Sequence, residues 1–334
     1  MKLSLVHKDS GKQDILYDND GRYYNLLTEA FGERFLQYRK LWKEREERDS
    51  YGSFPLSLDL AINSGCQLSC IMCPNSLQAK EKPRLMERRF FKKLMLEAKE
   101  HRLPALTLGL GTEPLLHPLA PEFIGLASKA GVMDIRLGTN GAALTPRLTD
   151  SLIDSGLTRL EVSLDAVYEK TYAAIRIGGN YNRLMRKIEY FLEKRQKLGR
   201  TTPLLRVSFL KLPQNAKELV PFLATWKDRA DMISIQNPVS YEGLDWLKPQ
   251  GLKKQVLPKK VSCAQPWQRV GVLEDGTVWP CCSFYGKYIF KRETIFGDIA
   301  CLWHSRSMNQ LRKSLKTSPI EACRLCSRTF NQEV

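Results

Sequence analysis

The sequence predicts an α/β fold: a partial (β/α)6 barrel of parallel strands, followed by a small cysteine-rich domain built from a hairpin and a helix. Two observations lead to this prediction. From residue 56 onward, short apolar runs alternate with amphipathic stretches, and such alternation is typical of parallel sheets with right-handed crossovers. Beyond residue 262, the cysteines are gathered around a hairpin pattern.

The six strand candidates are the apolar runs at 56–62, 104–110, 133–138, 159–164, 204–210 and 232–236. The helix candidates are the amphipathic stretches at 87–101, 120–130, 146–155, 181–198 and 216–229. Gly131 and Gly156 follow two of these stretches, and glycine commonly ends a helix. In a barrel of this kind the functional loops lie at the carboxyl ends of the strands. The residues that follow each strand are therefore the candidates for a site.

Residues 1–55 are predicted to form a separate helical lead-in. The segment 26–48 favours a helix, and its aromatic residues recur at a spacing that makes one apolar stripe. These residues are Phe31, Phe35, Tyr38 and Trp42. We interpret the stripe as the packing face of a helix that lies across the following domain.

The rest of the chain divides into a connector and a C-terminal domain. The connector is rich in Pro, Gly and Lys and shows little apolar periodicity. After it, two apolar runs at 268–273 and 277–279 flank a Glu-Asp-Gly turn, which is typical of a β-hairpin. Residues 303–316 are predicted to form one further helix. The predicted domains are 1–55, 56–237, 238–262 and 263–334.

Composition limits the class of protein. The chain has 334 residues, of which 43% are hydrophobic, so it can bury a sizeable core. It contains no run approaching the roughly 20 apolar residues of a membrane helix, and its first residues lack a signal-peptide core. We therefore predict a soluble, cytoplasmic protein without a membrane partner. The net charge of +16 fits either nucleic acid or anionic ligands, or a solvated basic surface. No basic block interleaved with aromatics is present, so we do not expect nucleic acid as a partner.

The nine cysteines could be disulfides, core thiols or metal ligands. Disulfides are rare in the cytosol, and the close grouping favours metal ligands. Cys66, Cys70 and Cys73 read Cys-x-x-x-Cys-x-x-Cys after the first strand. Three thiolates around a cubic iron–sulfur cluster leave one iron without a protein ligand, and such an iron can bind a small molecule.

A second set consists of Cys263, Cys281 and the Cys-x-x-Cys pair Cys323 and Cys326. Four thiolates brought together by a hairpin and a helix would close a metal site completely. From spacing alone, zinc and an iron–sulfur cluster fit this set equally well.

The loop from Cys66 to Cys73 resembles the cluster motif of the radical S-adenosylmethionine (radical SAM) superfamily. Residues 109–118 read Gly-Leu-Gly-Thr-Glu-Pro-Leu-Leu-His-Pro and are similar to the superfamily's Gly-Gly-Glu-Pro segment. The resemblance implies that Gly111, Thr112 and Glu113 bind SAM, with the carboxylate near the methionine ammonium. Thr112 stands where the family usually has glycine.

Three later strand ends extend the resemblance. Residues 138–141 read Gly-Thr-Asn-Gly, as in members of the family with a Thr-Asn-Gly turn. By resemblance, Asn140 binds the cofactor, Ser163 lies near the SAM ribose or carboxylate, and Arg176 lies at the SAM carboxylate. The implied cofactors are SAM and a [4Fe-4S] cluster. The implied reaction is one-electron cleavage of SAM to a 5′-deoxyadenosyl radical, which takes a hydrogen atom from a substrate carbon.

The C-terminal residues resemble the twitch domain, a shortened SPASM domain that holds one auxiliary [4Fe-4S] cluster. The match includes Gly-Thr-Val-Trp-Pro-Cys-Cys at 276–282 and Phe-Gly-Asp-Ile at 296–299. The resemblance implies that Cys263, Cys281, Cys323 and Cys326 are the ligands. Cys282 remains as an alternative ligand, a candidate hydrogen donor or an inert thiol. Cys301 is interpreted as an inert buried thiol.

Relatives with twitch and SPASM domains act on ribosomally made peptides or on sugars and aminocyclitols. The resemblance therefore implies epimerisation or two-electron oxidation of such a substrate. An RNA-modifying enzyme and a peptide-crosslinking enzyme are the alternatives. The lead-in is too short for a winged-helix domain that holds a leader peptide, which favours a small substrate. An electron donor such as flavodoxin or ferredoxin is an implied partner.

Overall fold

The computed structural model describes residues 3–8, 15–77, 82–238, 259–281 and 298–326. These residues form one sheet with the strand order β1-β2-β8-β7-β6-β5-β4-β3-β9-β10. The strands are β1 (Leu3–Lys8), β2 (Ile15–Asn19), β3 (Ser57–Leu60), β4 (Ala105–Leu108), β5 (Asp134–Thr139), β6 (Arg159–Ser163), β7 (Leu204–Leu210), β8 (Met232–Gln236), β9 (Arg269–Val272) and β10 (Val278–Trp279).

The helices are α1 (Arg22–Phe31), α2 (Glu33–Glu44), α3 (Arg88–Glu100), α4 (Ala120–Lys129), α5 (Pro146–Asp154), α6 (Glu169–Ile175), α7 (Tyr181–Lys197), α8 (Leu219–Trp226), α9 (Gln265–Gln268), α10 (Ile299–Trp303), α11 (Arg306–Thr317) and α12 (Glu321–Cys326). Short 3-10 turns lie at Arg45–Glu47, Pro74–Leu77, Pro114–Leu116 and Pro213–Glu218.

The six strands from β3 to β8 pair in parallel, each with the next in the chain. All six sequence-predicted strands are present, and the α/β class with a parallel sheet is confirmed. Four of the five predicted helices between them are single helices. The fifth, predicted at 216–229, begins as a 3-10 turn and is α-helical only from Leu219 to Trp226.

The two faces of the parallel sheet differ in polarity. Along each strand, apolar residues alternate with polar ones, so every second side chain points to the same face. The apolar face belongs to the main core, which helices such as α3 and α4 cover through Phe91 and Phe123. The polar face is left to line the interior of the partial barrel. The apolar face therefore stabilises the fold by packing against the helices, and the polar face supplies side chains that can contact a ligand.

The lead-in differs from the single helix predicted. It begins with β1 and β2, and β2 pairs antiparallel with β8, so the lead-in extends the sheet. The helical part is broken at Gly32, which has a φ of 53°; such a conformation suits glycine and interrupts a helix. Phe35, Tyr38 and Trp42 are buried, whereas Phe31 is 37% exposed and falls outside the stripe.

The lead-in packs against the amino-terminal end of the barrel. The aromatic residues of α1 and α2 share a cluster with the residues at which the parallel strands begin: Leu56, Ala105, Met133, Leu204 and Met232. Tyr23 adds a hydrogen bond of 2.8 Å from its hydroxyl to Asp134 Oδ2. The interpretation of the stripe as a packing face is thus confirmed, and the opposite, carboxyl end of the strands is the end available for a site.

The C-terminal hairpin is continuous with the barrel sheet. The predicted hairpin is present as β9 and β10, and β9 pairs in parallel with β3. The further helix predicted at 303–316 is present as α11, which begins at Arg306 because Ser305 caps it by accepting a hydrogen bond from the Met308 amide; Trp303 ends the preceding helix α10. Arg312 on α11 donates to the carbonyls of Pro266 and Trp303, which fixes α11 to the residues beside β9. The boundaries of the four predicted domains stay predictions.

Candidate active site

The three-cysteine loop follows β3 and contacts the end of α6 and the residues just after it. The amide of Ser69 donates to the Ile177 carbonyl at 2.9 Å, and the amide of Ile71 donates to the Ile175 carbonyl at 3.0 Å. A turn brings the Cys73 amide to the Cys70 carbonyl at 3.0 Å. These backbone bonds hold the loop in shape without using the cysteine side chains.

The thiols of this loop face one cavity of about 400 Å³ at the carboxyl ends of the strands. Burial raises the pKa of all three thiols, and that of Cys70 reaches about 11. Without a metal, these groups are therefore neutral thiols at pH 7. Metal or cluster binding replaces the proton, because the thiolate is the ligand. A set of three neutral thiols beside a cavity, one buried and two half-buried, fits an iron–sulfur cluster with one iron open toward that cavity.

Asn140 contacts a cysteine of the loop directly. Its Nδ2 donates to Cys66 Sγ at 3.5 Å. Its Oδ1 accepts from Gln67 Nε2 at 3.1 Å and from the Ala142 amide at 2.8 Å. The structure therefore brings Asn140 to the cluster loop, as its position at the end of β5 predicts, and adds a contact with sulfur that sequence reasoning missed. Its contact with SAM stays a prediction.

Glu113 is held by three protein donors. The carboxyl group is 1% exposed; Oε1 accepts from Thr139 Oγ1 at 2.7 Å and from the Leu115 amide at 3.0 Å, and Oε2 accepts from the Asn140 amide at 2.8 Å. Burial raises the pKa of Glu113, although these hydrogen bonds oppose the shift. A carboxylate has about four acceptor sites, so about one remains. That remaining site is what the predicted contact with an ammonium would use.

Arg176 forms a buried ion pair with Asp165. Its Nε and Nη2 donate to Asp165 Oδ2 at 2.8 and 2.5 Å, and its Nη1 lies 3.9 Å from Cys70 Sγ. Burial opposes the charge, but Asp165 outweighs it and holds the pKa of Arg176 above its ordinary value. Arg176 thus lines the cavity, and its contact with the SAM carboxylate, which the resemblance implies, stays a prediction. The ion pair with Asp165 was not predicted.

Gly111, Thr112 and Ser163 also line the cavity. The Gly111 carbonyl accepts a hydrogen bond from the side chain of Asn75, next to the cysteine loop. The Thr112 hydroxyl oxygen is buried and has no hydrogen-bond partner in the part of the chain that the structure describes. A buried hydroxyl without a partner costs free energy unless a ligand satisfies it. The observation supports the predicted role of Thr112 in cofactor binding, with the side chain as the contact.

We predict that Thr112→Val weakens the binding of SAM to the reconstituted protein by roughly two- to tenfold, as the loss of one hydrogen bond implies. Valine keeps the shape of threonine and lacks the hydroxyl, so the change isolates the polar contact. Equilibrium dialysis with SAM measures it. Thr112→Ser, which keeps the hydroxyl, is the control and should bind nearly as well as the wild type. Equal affinities for the valine variant and the wild type would contradict the prediction.

The inner face of the sheet adds a second group of cavity residues that sequence reasoning missed. They are the polar members of the alternating strands: Asp59, Thr107, Arg136, Glu161 and Gln236. The signal was present, because strands such as Ser-Leu-Asp-Leu and Arg-Leu-Glu-Val-Ser alternate strictly. The prediction treated these strands as apolar runs and therefore did not identify the polar residues that alternate along them.

The charged members of this group all have ion-pair partners. Arg136 Nη1 lies 2.8 Å from Glu161 Oε2, and Arg206 Nη1 lies 3.6 Å from the same oxygen. Burial opposes ionisation of Glu161, but Arg206 and Arg136 outweigh it and lower its pKa. Asp59 accepts from Arg269 of β9 at 3.1 Å. The cavity therefore has a polar, charged wall in which each ion lies beside a partner of opposite charge.

The second cysteine set lies around the C-terminal hairpin and helices. Cys263 and Cys323 pack against one small apolar cluster that includes Trp267 and Leu311. Burial, with the nearby Cys326, raises the pKa of Cys323 to about 12. Cys281 lies two residues after the end of β10, beyond Pro280. Cys282, the candidate hydrogen donor, lies outside the described residues.

Nowhere in the described ranges do three or more His, Cys, Asp or Glu side chains converge as they would around a single metal ion. The ligands of an iron–sulfur cluster are arranged differently. Each cysteine binds a separate iron atom, so the sulfur atoms lie further apart than the ligands of a single metal ion. Cys301 is exposed on α10, so the interpretation of this residue as a buried thiol is wrong. None of the helices in the described ranges combines the length and apolar character needed to cross a bilayer.

Two family profiles match the chain. The profile of the radical SAM superfamily matches residues 60–208, and that of the SPASM iron–sulfur cluster-binding domain matches residues 263–327. Each match includes one of the cysteine sets described above. The chain belongs to the radical SAM superfamily of enzymes and carries a C-terminal SPASM-type iron–sulfur domain. The cofactors of these two domains are [4Fe-4S] clusters and SAM.

Three individual matches to the chain, one protein and two solved structures, share 32% identity or less with it. A probable GTP 3′,8-cyclase of Methanococcus maripaludis is 32% identical over 171 residues, which is 51% of this chain and 55% of that protein. The chain thus spans about half the length of the curated relatives it matches. The structure of BtrN in complex with AdoMet and 2-DOIA has a TM-score of 0.50 at 18% identity and covers 83% of this chain and 94% of BtrN. Streptococcus suis SuiB bound to precursor peptide SuiA has a TM-score of 0.59 at 14% identity, with coverage of 86% and 74%. These two structures show the fold.

Proposed function

We propose that the protein abstracts a hydrogen atom from a carbon of a polar small molecule or a peptide, and that the product is an epimer or the two-electron oxidised form. When bound, the cluster and SAM supply the 5′-deoxyadenosyl radical for this step. The observation that supports the proposal is the convergence of the cysteine loop, four strand ends and a charged strand face on one cavity. The chain's own task is to bind, orient and shield the reactants.

The cysteine residues would hold two clusters. The ligands of the first would be Cys66, Cys70 and Cys73, and those of the second would be Cys263, Cys281, Cys323 and Cys326. Gly111, Thr112, Glu113, Asn140, Ser163 and Arg176 would surround SAM. Two observations support this assignment: the raised pKa values of the three loop thiols, and the Thr112 hydroxyl, for which the described residues provide no hydrogen-bond partner.

The polarity of the inner wall supports a hydroxyl-rich substrate. Asp59, Arg136 and Glu161 present charged and hydrogen-bonding groups to the cavity, and each is already neutralised by a partner. Such a wall can donate to and accept from sugar hydroxyls without leaving a buried charge unpaired. A sugar or an aminocyclitol therefore fits this wall better than an apolar peptide segment.

Two features bear on the outcome after hydrogen abstraction. A second cluster closed by four cysteines has no iron open to substrate, so it would act as an electron acceptor and lead to an oxidised product. A thiol on the opposite side of the substrate would instead return a hydrogen atom and give an epimer. Cys282 is the candidate for that thiol.

GTP cyclisation is a second candidate function, because relatives that match half of the chain are named GTP 3′,8-cyclases. The charge of the cavity opposes it. Among the described residues, the two guanidinium groups that line the cavity, Arg136 and Arg176, are already paired with Glu161 and Asp165. A triphosphate needs an excess of cations. We therefore place GTP second.

The electron donor is proposed to be a small acidic protein such as flavodoxin or ferredoxin. The net charge of +16 would attract such a partner and speed its association at low ionic strength. A strong fall in the reduction rate by flavodoxin with added salt would support this partner.

Anaerobic reconstitution tests the proposal. The purified chain is loaded with iron and sulfide, reduced with dithionite, and incubated with SAM and one substrate at a time in deuterated water. The panel contains aminocyclitols, sugars, short peptides, GTP and a transfer RNA. Mass spectrometry measures 5′-deoxyadenosine and the substrate product. About eight irons per chain are expected for two clusters.

Each result has a defined meaning. An epimer that has gained one solvent deuterium supports epimerisation, and a product that has lost a hydrogen pair supports oxidation. Turnover of GTP alone would replace the first candidate with the second, and turnover of RNA alone or a peptide crosslink would overturn both. No 5′-deoxyadenosine under any condition would overturn the proposed radical chemistry.

A further inference from the structure

Two of the three cysteines in the loop after β3 have a buried side-chain donor beside their sulfur. Asn140 Nδ2 lies 3.5 Å from Cys66 Sγ, and Arg176 Nη1 lies 3.9 Å from Cys70 Sγ. The two donors come from different parts of the fold, the end of β5 and the end of α6. Both donors are at most 9% exposed. Water therefore competes little with these contacts.

The orientation of the Asn140 amide is fixed by its other partners. Oδ1 accepts from the backbone amide of Ala142 at 2.8 Å, and only the oxygen of the side-chain amide can accept such a bond. The Asn140 backbone amide is in turn bound by Glu113 Oε2 at 2.8 Å. The NH2 group must therefore point toward Cys66. A flipped amide would place two donors against each other at Ala142.

The Arg176 guanidinium is fixed by Asp165. Two of its nitrogens donate to Asp165 Oδ2, which leaves Nη1 directed at Cys70 Sγ. Asp165 is itself held, because its Oδ1 accepts from the Leu210 amide at 2.7 Å and its carbonyl accepts from Asn215 Nδ2 at 2.7 Å. The φ of Asp165 is 61°, a conformation that costs free energy for a residue other than glycine. The fold thus holds Asp165 in an uncommon conformation in which its Oδ2 accepts from Arg176 and orients the guanidinium.

We infer that Asn140 and Arg176 are positioning residues that donate hydrogen bonds to the Cys66 and Cys70 thiolates and raise the reduction potential of the cluster bound there. This inference rests on the proposed function. Reduction adds negative charge to the cluster and its thiolates, so donors at sulfur stabilise the reduced form more than the oxidised form. Asp165 lowers the net charge of the pair, so that Arg176 acts as an oriented donor with little free charge.

The test is the midpoint potential of the cluster, followed by electron paramagnetic resonance during a redox titration without SAM. Asn140→Asp keeps the Oδ1 acceptor and replaces the donor group with a carboxylate oxygen. We expect its potential to become more negative, so that the ratio of reduced to oxidised cluster at a fixed potential falls at least as far as the roughly two- to tenfold that one lost hydrogen bond implies. Asn180→Asp, at the exposed N-cap of α7, makes the same charge change away from the thiols and should leave the potential unchanged.

Testing the contact between Arg176 and Cys70 requires that Arg176 and Asp165 be replaced together. Arg176→Met alone would leave Asp165 buried and unpaired, which destabilises the fold. The double variant Arg176→Met with Asp165→Asn removes the pair together, and asparagine tolerates the backbone at position 165. We expect this variant to load its irons fully and to show a potential shifted in the same direction.

The outcomes separate this inference from the function on which it rests. Unchanged potentials in both variants, with full iron content, would overturn the role of the two donors and leave the radical chemistry intact. Failure of the wild-type chain to form 5′-deoxyadenosine would overturn the proposed function instead. If Arg176 serves only the SAM carboxylate, the double variant will bind SAM less tightly while its potential without SAM stays at the wild-type value, and the inference fails for Arg176.

Discussion

Cys70→Ala should abolish SAM cleavage. Cys70 is buried at the inner side of the loop and lines the cavity with Cys66 and Cys73. Two remaining thiolates cannot hold a cubic cluster with only one open iron, so the cluster should be lost or poorly bound. We expect about half of the iron to disappear and 5′-deoxyadenosine to fall below detection. Iron analysis and mass spectrometry of the anaerobically reconstituted variant measure both quantities.

Cys301→Ala is the matched control for this variant. Cys301 is exposed on α10 and belongs to neither predicted ligand set. The same chemical change there should leave the iron content and the yield of 5′-deoxyadenosine at wild-type levels. If Cys70→Ala keeps its full iron content and still cleaves SAM, the three-cysteine loop is not the site of the reactive cluster.

Much of the fold can be predicted from the sequence because its signals are local. Six strands and most of the helices between them follow from apolar periodicity and from turn residues within the same segments. The residues proposed to bind the cofactors could be placed because successive strand ends of a parallel sheet meet at one edge. Glu113, Asn140 and Arg176 lie far apart in the chain, and the structure brings all three to one cavity.

The missed features depend on partners distant in sequence. β2 forms a strand because β8 offers it a free edge, and nothing within residues 15–19 announces that pairing. The Asp165–Arg176 pair and the contact of Asn140 with Cys66 join residues from different loops. A side chain such as Arg136 looks like a surface charge until β6 places Glu161 beside it. Spacing can suggest a cluster ligand, but it does not show what donates to that ligand.

The network around Glu113 connects the cofactor loop to the sheet. One carboxyl group accepts from a residue of β5, from the amide of Asn140 and from the amide of Leu115. Asn140 then contacts Cys66, so the position of the cluster loop depends on this carboxylate through one intermediate residue. Glu113 therefore holds the residues of the site in position in addition to its predicted contact with the SAM ammonium.

Glu113→Gln should lower both stability and affinity for SAM. Glutamine has the same shape as glutamate, but its NH2 group cannot accept a hydrogen bond. Oε1 receives the amide of Leu115 and Oε2 receives the amide of Asn140, so either orientation of the new amide places its NH2 group against a backbone N–H. A buried donor left unsatisfied costs about 1–3 kcal/mol. Urea unfolding should show a lower free energy of unfolding by about this amount, and equilibrium dialysis should show weaker binding of SAM.

Glu122→Gln on α4 is the matched control. Its carboxylate pairs with Arg88 at the surface, where an ion pair contributes little, so we expect a change within about 0.5 kcal/mol and unchanged SAM binding. Equal stabilities of the Glu113 variant and this control would mean that the buried carboxylate is not needed to hold the site. A stable Glu113 variant that has lost only its SAM affinity would instead assign the carboxylate to the ligand, because the three backbone and side-chain donors would then have found other partners.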